Sequence, residues 1–316
     1  MVEEDTQSDS KHRTTVGYVK TTASKVHTTL VAKYGYKEDN FSISTINNVL
    51  NRLGYSLKKV QKTKPLKRLE ETDSIFENVH SCVEQAKANN GVFRISVDVK
   101  DKVKVGELSR KGYSRSRQAV KAADKDQKWD CSLIPVGILE VDTAQSHIFF
   151  GNSVETSDLI ADCIQQWANT QKEHFQFITR LQIYLDNGPH CNSRRTQFMK
   201  RIALLACELD IEIELIYYPP YHSKYNPIER VWAGLENYWN GTLLNSVKKV
   251  VATAKNMTWK GIHPISKLID KTYEHGVKLT AKKMKELDEL LIRNEEIPKW
   301  HVQIIPNEKM RTLFSG

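Results

Sequence analysis

The sequence predicts an α/β protein in which a mixed sheet is flanked by helices and preceded by a small helical domain. Three observations predict it. Apolar runs of strand length alternate with amphipathic stretches from residue 92 to about 243. Two short helical patterns, each closed by a glycine, lie within the first sixty residues. Hydrophobic residues make up 40% of 316 positions, enough for a sizeable core and too many for wholesale disorder.

Residues 1–15 are polar and are expected to be disordered. From Thr21 to Tyr34 the spacing puts Val26, Leu30, Val31 and Tyr34 on one side of a helix that Gly35 ends. Ser44 is the expected N-cap of a second helix, with Ile46, Val49, Leu50 and Leu53 on its apolar side before Gly54. Two helices joined by a glycine-containing turn, within 16–65, resemble a helix-turn-helix whose second helix enters the major groove of DNA. Its outward residues Thr45, Asn47, Asn48, Asn51 and Arg52 are able to bond bases or phosphates, and Lys58, Lys59 and Lys62 extend the basic surface. An ordinary helical hairpin with a solvated basic face is the alternative. Residues 66–90 read as a linker helix, and Asn89-Asn90-Gly91 marks a boundary.

Beyond it the pattern predicts strands at 93–99, 102–109 and 133–141. A helix follows at 154–170, with Leu159, Ile160, Cys163, Ile164 and Trp167 on one face. Then come a strand at 181–186, a helix at 191–209, a strand at 211–217 and a helix at 226–240. This β-β-β-α-β-α-β-α order, over 91–245, is the ribonuclease-H-like arrangement. Residues 110–131 interrupt it as a long basic loop, and 246–316 read as a helical, charged tail. Trp232, Tyr238 and Trp239 recur at helical spacing and read as core.

A net charge of +9 and a pI of about 9.1 favour a polyanionic partner. The five cysteines contain no C-x-x-C pair, so they read as scattered thiols rather than a disulfide frame or zinc site. The acidic start has no signal-peptide pattern, and no apolar run approaches the ~20 residues that span a bilayer. A cytoplasmic, nucleoid-associated location is expected. The G-x-x-x-x-G-K phosphate loop of ATPases is missing from the sequence.

Three acids stand at informative points. Asp98 ends the run Phe93-Arg94-Ile95-Ser96-Val97, and Asp186 ends Leu181-Gln182-Ile183-Tyr184-Leu185. Glu229 opens a helix after Tyr218-Pro219-Pro220-Tyr221-His222-Ser223-Lys224-Tyr225-Asn226-Pro227-Ile228. Each alone has a plain explanation, as a strand-end turn former or a first-turn acid favoured by the helix dipole. Together, in this element order, they converge. Converging carboxylates repel one another, so a fold gathers them for a cation. Three such groups suit two Mg²⁺ or Mn²⁺ ions about 3.5–4 Å apart, the arrangement of metal-dependent phosphoryl transfer.

These same stretches carry a resemblance. Ile95-Ser96-Val97-Asp98-Val99-Lys100, Tyr184-Leu185-Asp186-Asn187-Gly188 and the Tyr218–Glu229 segment resemble the DDE transposases of bacterial insertion sequences, on the mariner-like side and closest to the ISAzo-type group. The resemblance covers about residues 40–243, and Gly54-Tyr55-Ser56-Leu57 resembles the junction after the family's helix-turn-helix. It implies metal-dependent cleavage and strand transfer at element ends, with Asp98, Asp186 and Glu229 as catalytic and metal-binding residues. It also implies Mg²⁺ or Mn²⁺, as two ions, double-stranded DNA as partner and a homodimer in the synaptic complex. Asn187-Gly188-Pro189-His190-Cys191-Asn192 is nearer the mariner-like pattern, and the DNA-binding region before residue 65 is shorter than is usual for such enzymes.

Further DNA contacts are expected around the acids. Asn187, His190, Arg194 and Arg195 precede or open a helix whose N-terminus suits phosphate. His222 and Lys224 lie in the loop before Glu229, where the resemblance implies contact with the scissile strand. Asn226 is the expected cap of that helix, with Pro227 at its first position. Lys100, Lys102, Arg110, Lys111, Arg115 and Arg117 make a dense basic segment suited to backbone binding. Two other readings stay open: a metal-dependent nuclease or resolvase of the same fold, and a decayed transposase that only binds DNA.

Overall fold

The computed structural model describes residues 21–58, 69–119, 121–124 and 128–314, with the backbone of two short strands, β1 (Gln7–Ser8) and β2 (Gly17–Tyr18), paired antiparallel. The chain divides into two units, Met1–Lys64 and Pro65–Gly316. In the first, α1 (Ala23–Tyr34) and α2 (Ile43–Arg52) pack around Val26, Ile46 and Leu50. The Thr22 and Ser42 hydroxyls each accept a bond from the backbone N–H three residues on, satisfying donors the helix leaves open. The cap of α2 is therefore Ser42, with the Ser44 hydroxyl bonded to it rather than capping. Gly35 closes α1 at a φ of 71°, a conformation that glycine reaches without a Cβ clash. Asn47, Asn48, Asn51, Arg52 and Lys58 are exposed. So are Val49 and Leu53, because α1 covers only the Ile46–Leu50 line of α2. Lys59, Lys62 and most of residues 1–15 lie outside the described residues.

The second unit is built on one sheet. Its strands are β3 (Val92–Val99), β4 (Val103–Val105), β5 (Cys131–Glu140), β6 (Ser146–Gly151), β7 (Arg180–Asp186), β8 (Glu212–Tyr218), β9 (Ile265–Ile269), β10 (Ile292–Arg293) and β11 (His301–Ile304). They run in the order β10-β11-β8-β7-β3-β5-β6-β9, with β4 hung on β5. Around β3, the pairings to β5 and on to β6 are antiparallel, and those to β7 and on to β8 are parallel. That central five-strand block is ribonuclease-H-like.

Helices cover both faces. On one, α4 (Ser157–Thr170) and α6 (Thr196–Leu209) bury Ile160, Ile164, Trp167, Phe198 and Ile202 against Ile95, Val97, Val136 and Ile183. On the other, α7 (Ile228–Trp239) and α8 (Val247–Asn256) set Val231, Trp232, Leu235 and Val250 on Leu133, Leu139, Ile148 and Phe150. Beside them α3 (Thr72–Lys87) sets Val79 and Cys82 on Tyr184, Ile216 and Tyr218. Each fully buried large side chain contributes about 1.5–3 kcal/mol, so these layers fix the sheet against both sets of helices. The short helices α5 (Lys172–Phe175), α9 (Ala281–Asp288) and α10 (Glu308–Leu313) complete the unit. Among the described residues no helix is long and apolar enough to cross a membrane.

Four expectations are corrected here. The segment 102–109 gives only the three-residue β4, and the third strand of the core is β6, whose six residues are all buried and so lack the alternation that marks a half-buried strand. Helix α3, within the expected linker, is a packed layer of the second unit. The helix expected from 191 begins only at Thr196. Finally, residues 246–316 are not a helical tail: β9 extends the β6 edge, while β11 and β10 extend the β8 edge.

Candidate active site

Alternation along β3 sends Ile95 and Val97 to the α4–α6 face and Ser96 and Asp98 to the α7 face. Asp186 is the last residue of β7, the parallel neighbour of β3, so both acids sit at C-terminal strand ends. Open parallel sheets bind ligands at those ends. Glu229, the second residue of α7, is carried to them by a buried knot. The Ser96 hydroxyl donates to Asn226 Oδ1 and accepts from the backbone N–H of Ile228 at 3.0 Å, while Asn226 Nδ2 donates to the Val97 carbonyl at 3.1 Å. Ser96 and Asn226 are fully buried. Asn226 thus ties the helix to β3; its carbonyl accepts from the Glu229 N–H at 3.1 Å, but it is the Ser96 hydroxyl, rather than the Asn226 side chain, that takes up the open N–H of Ile228.

Trp232, one turn after Glu229, donates its indole N–H to Asp98 Oδ2 at 2.8 Å. Its ring lies over Gly137, which pairs with Asp98 across β3 and β5; a Cβ there would stand 2.5 Å from the ring. Glycine is thus required for the tryptophan to reach the acid. The sequence reading took Trp232 for core alone.

Burial and the neighbouring Asp186 carboxylate push Asp98 up to about 7, against the pull of the Trp232 bond; Glu229 adds to the rise. Asp186 is pushed up to about 6 by burial and by Glu229, with the Asn226 side chain opposing. Asp186 Oδ1 is buried without a hydrogen-bond partner, and so is Asn187 Oδ1. A buried carboxylate oxygen left bare beside two other acids fits a cation ligand, because any protein donor would have neutralised part of the charge. The oxygens of the three acids do not all lie within 4.8 Å of one another; among the described residues only Cys82, Glu214 and His301 cluster that tightly.

A cleft of about 160 Å³ opens beside Asp98 and Asp186, lined also by Glu155, Pro189, His190 and Cys191. Glu155 was missed by the sequence reading; it immediately precedes Thr156, the N-cap of α4, and its place at the cleft depends on α4 docking beneath β3 and β7. The His190 imidazole is held below its usual range, first by burial.

The expected DNA contacts divide. Lys102, Lys111, Arg115, Arg117, Arg194, Arg195 and Lys224 are exposed. Asn187 and Arg194 line an open groove with Glu70, Pro220 and Lys299, and Arg195 Nε donates to the Pro189 carbonyl at 2.7 Å. Lys100 and Arg110 are instead both paired with Glu236 of α7 at 3.0 Å, which holds the base of the basic segment against the helix. His222 is buried: it packs edge-on to Phe76 of α3 at 5.2 Å, with Nδ1 2.8 Å from the Pro220 carbonyl, and so shapes the loop from within. Tyr238 is exposed rather than core.

Comparison with known proteins adds the following. Residues 1–306 match the family model described as Rhodopirellula transposase DDE domain, a span reaching beyond 40–243 at both ends. Among solved structures the chain is similar to a Mos1 transposase paired-end complex with left transposon end, at 12% identity and a TM-score of 0.44, over 77% of this chain and 72% of that one. It is also similar to the Mos1 mariner paired end complex with Mn, at 11% identity and 0.42, over 77% and 72%. The Mos1 strand transfer complex aligns at 12% identity and 0.41, over 77% and 71%. No curated protein matches.

Proposed function

The chain belongs to the DDE transposase domain family named for Rhodopirellula, and we propose that Asp98, Asp186 and Glu229 are the acids with which it cuts and joins DNA. The supporting observation is the pair of half-buried, mutually repelling carboxylates at adjacent parallel strand ends, one with an oxygen left bare. Asp98, Asp186 and Glu229 would hold Mg²⁺ or Mn²⁺, as two ions. Such ions, when bound, lower the pKa of an attacking water or 3′-hydroxyl and stabilise the departing oxygen of a phosphodiester.

The chain's own residues set the geometry. Trp232 holds the Asp98 carboxylate through Oδ2. The Ser96–Asn226–Ile228 knot fixes where the first turn of α7 delivers Glu229. Partial burial limits the water around both aspartates, which strengthens their attraction for a cation. Exposed Lys102, Lys111, Arg115 and Arg117 suit the duplex backbone, and Asn47, Asn48, Asn51 and Arg52 suit base edges of the element end, in a synaptic homodimer.

The test uses purified protein, Mg²⁺ or Mn²⁺, and DNA taken from both sides of the gene, where this reading expects short inverted repeats. Cleaved ends and their products joined to a target duplex are expected. Asp98→Asn, Asp186→Asn and Glu229→Gln should each lower both steps on the order of 10³-fold. Cleavage persisting in any of the three would remove that residue from the assignment. Ends cut but never joined would make the chain a nuclease.

A further inference from the structure

Away from Asp98 and Asp186, three side chains from distant parts of the chain meet in the core. Cys82 of α3, Glu214 of β8 and His301 of β11 bring a sulfur, a carboxylate oxygen and an imidazole nitrogen all within 4.8 Å of one another. His301 Nε2 lies 2.7 Å from Glu214 Oε1, and Cys82 Sγ lies 3.9 Å from the same oxygen. The other carboxylate oxygen is held from the far side, by Gln182 Nε2 at 2.8 Å and the Arg180 guanidinium at 3.9 Å. Glu214 is therefore oriented, with one oxygen turned to the thiol and the imidazole.

Two further atoms at this point lack partners. Asn78, one turn before Cys82 on α3, brings Oδ1 to 4.0 Å from the sulfur, while its Nδ2 is buried and unbonded. The Nδ1 of His301 is likewise buried and unbonded. An amide NH2 only donates and calls for an acceptor such as ordered water; the lone pairs that face one another here are those of the sulfur, the imidazole Nε2, Glu214 Oε1 and Asn78 Oδ1. Burial and the Glu214 charge hold the Cys82 thiol up to about 12, so without a cation the sulfur keeps its proton, and His301 Nε2 is a hydrogen-bond partner of Glu214.

We propose that Cys82, Glu214 and His301, with Asn78 Oδ1 as fourth donor, form a structural site for one Zn²⁺ that fastens α3 and β11 to β8. One thiolate, one imidazole and two oxygens form the donor set of a borderline-soft ion content with four ligands, whereas Mg²⁺ wants six oxygens. The sulfur proton leaves to solvent as the Zn–S bond forms. Because the ligands come from residues far apart in the sequence, no cysteine spacing betrays the site.

The experiment uses the full chain carrying Asp98→Asn, Asp186→Asn and Cys131→Ser, so that neither the candidate active site nor the one exposed thiol retains metal. After dialysis against a metal-scavenging resin, elemental analysis should find about one zinc per chain. Adding Cys82→Ser or His301→Ala should remove it while circular dichroism shows the fold retained. A parent without bound zinc overturns the proposal. Should those variants not fold, the parent loaded with Co²⁺ decides: a thiolate-to-cobalt charge-transfer band is expected, and a cobalt spectrum without it overturns the assignment. Neither result bears on Asp98, Asp186 or Glu229.

Discussion

Asp98 carries two predictions at the scale of single residues. Its carboxyl titrates higher in the fold, at about 7, than in an unfolded chain, and Asp186 does so at about 6. The fold therefore favours their protonated forms. Their stabilising contribution is full below the ordinary carboxylate range near pH 4 and is lost as pH rises through 6 and 7. In chelator, the melting temperature should fall between pH 5.5 and 7.5, and Asp98→Asn should flatten that slope and stabilise the protein at pH 7.5 by ~1–3 kcal/mol. Calorimetry across that range checks it; an unchanged slope would mean Asp98 ionises freely. Trp232→Phe removes the one side-chain donor that favours the charged form. The activity midpoint on the acidic limb should then move to higher pH, read from a pH–rate profile at saturating metal. Asp98, Asp186 and Glu229 were legible because each ends or opens an element at a point where apolar pattern meets polar sequence. His222 was not: its burial depends on Phe76, more than a hundred residues away, and nothing local to the Pro-Pro-Tyr-His segment encodes that partner.

At the scale of elements, the docking of α7 on β3 and β5 governs Glu229. Gly137→Ala would drive a methyl into the Trp232 ring, at a cost of about 1–3 kcal/mol, and shift both Trp232 and the first turn of α7. Asn226→Ala leaves the Val97 carbonyl and the Ser96 hydroxyl short of a partner, a similar penalty. Both variants should lose strand cleavage well beyond what their melting temperatures explain, with single-turnover rates falling while DNA affinity in a filter-binding assay holds. Equal losses in affinity and rate would point to general unfolding instead. This helix and the order of the core elements were readable from periodicity. Strand β6 was not, because Ser146–Gly151 is covered on both sides and reads as a plain apolar run; β4 was overdrawn because its basic flanks also alternate.

At the scale of the whole molecule, the second unit is closed by segments that sequence pattern assigned elsewhere. Strands β9, β10 and β11 are two to five residues long and too short to announce themselves; the partner strand decides that they are strands at all. A fragment ending at residue 245 should be insoluble or protease-sensitive, since it bares the backbone edges of β6 and β8 and strips Trp300, Val302 and Ile304 from the core. Limited proteolysis of that fragment beside the full chain checks this, and a fragment as resistant as its parent would contradict it. Residues 265–304 border the sheet on both sides. Both rims thus depend on one stretch of chain, and a break within it would loosen the sheet at two places at once.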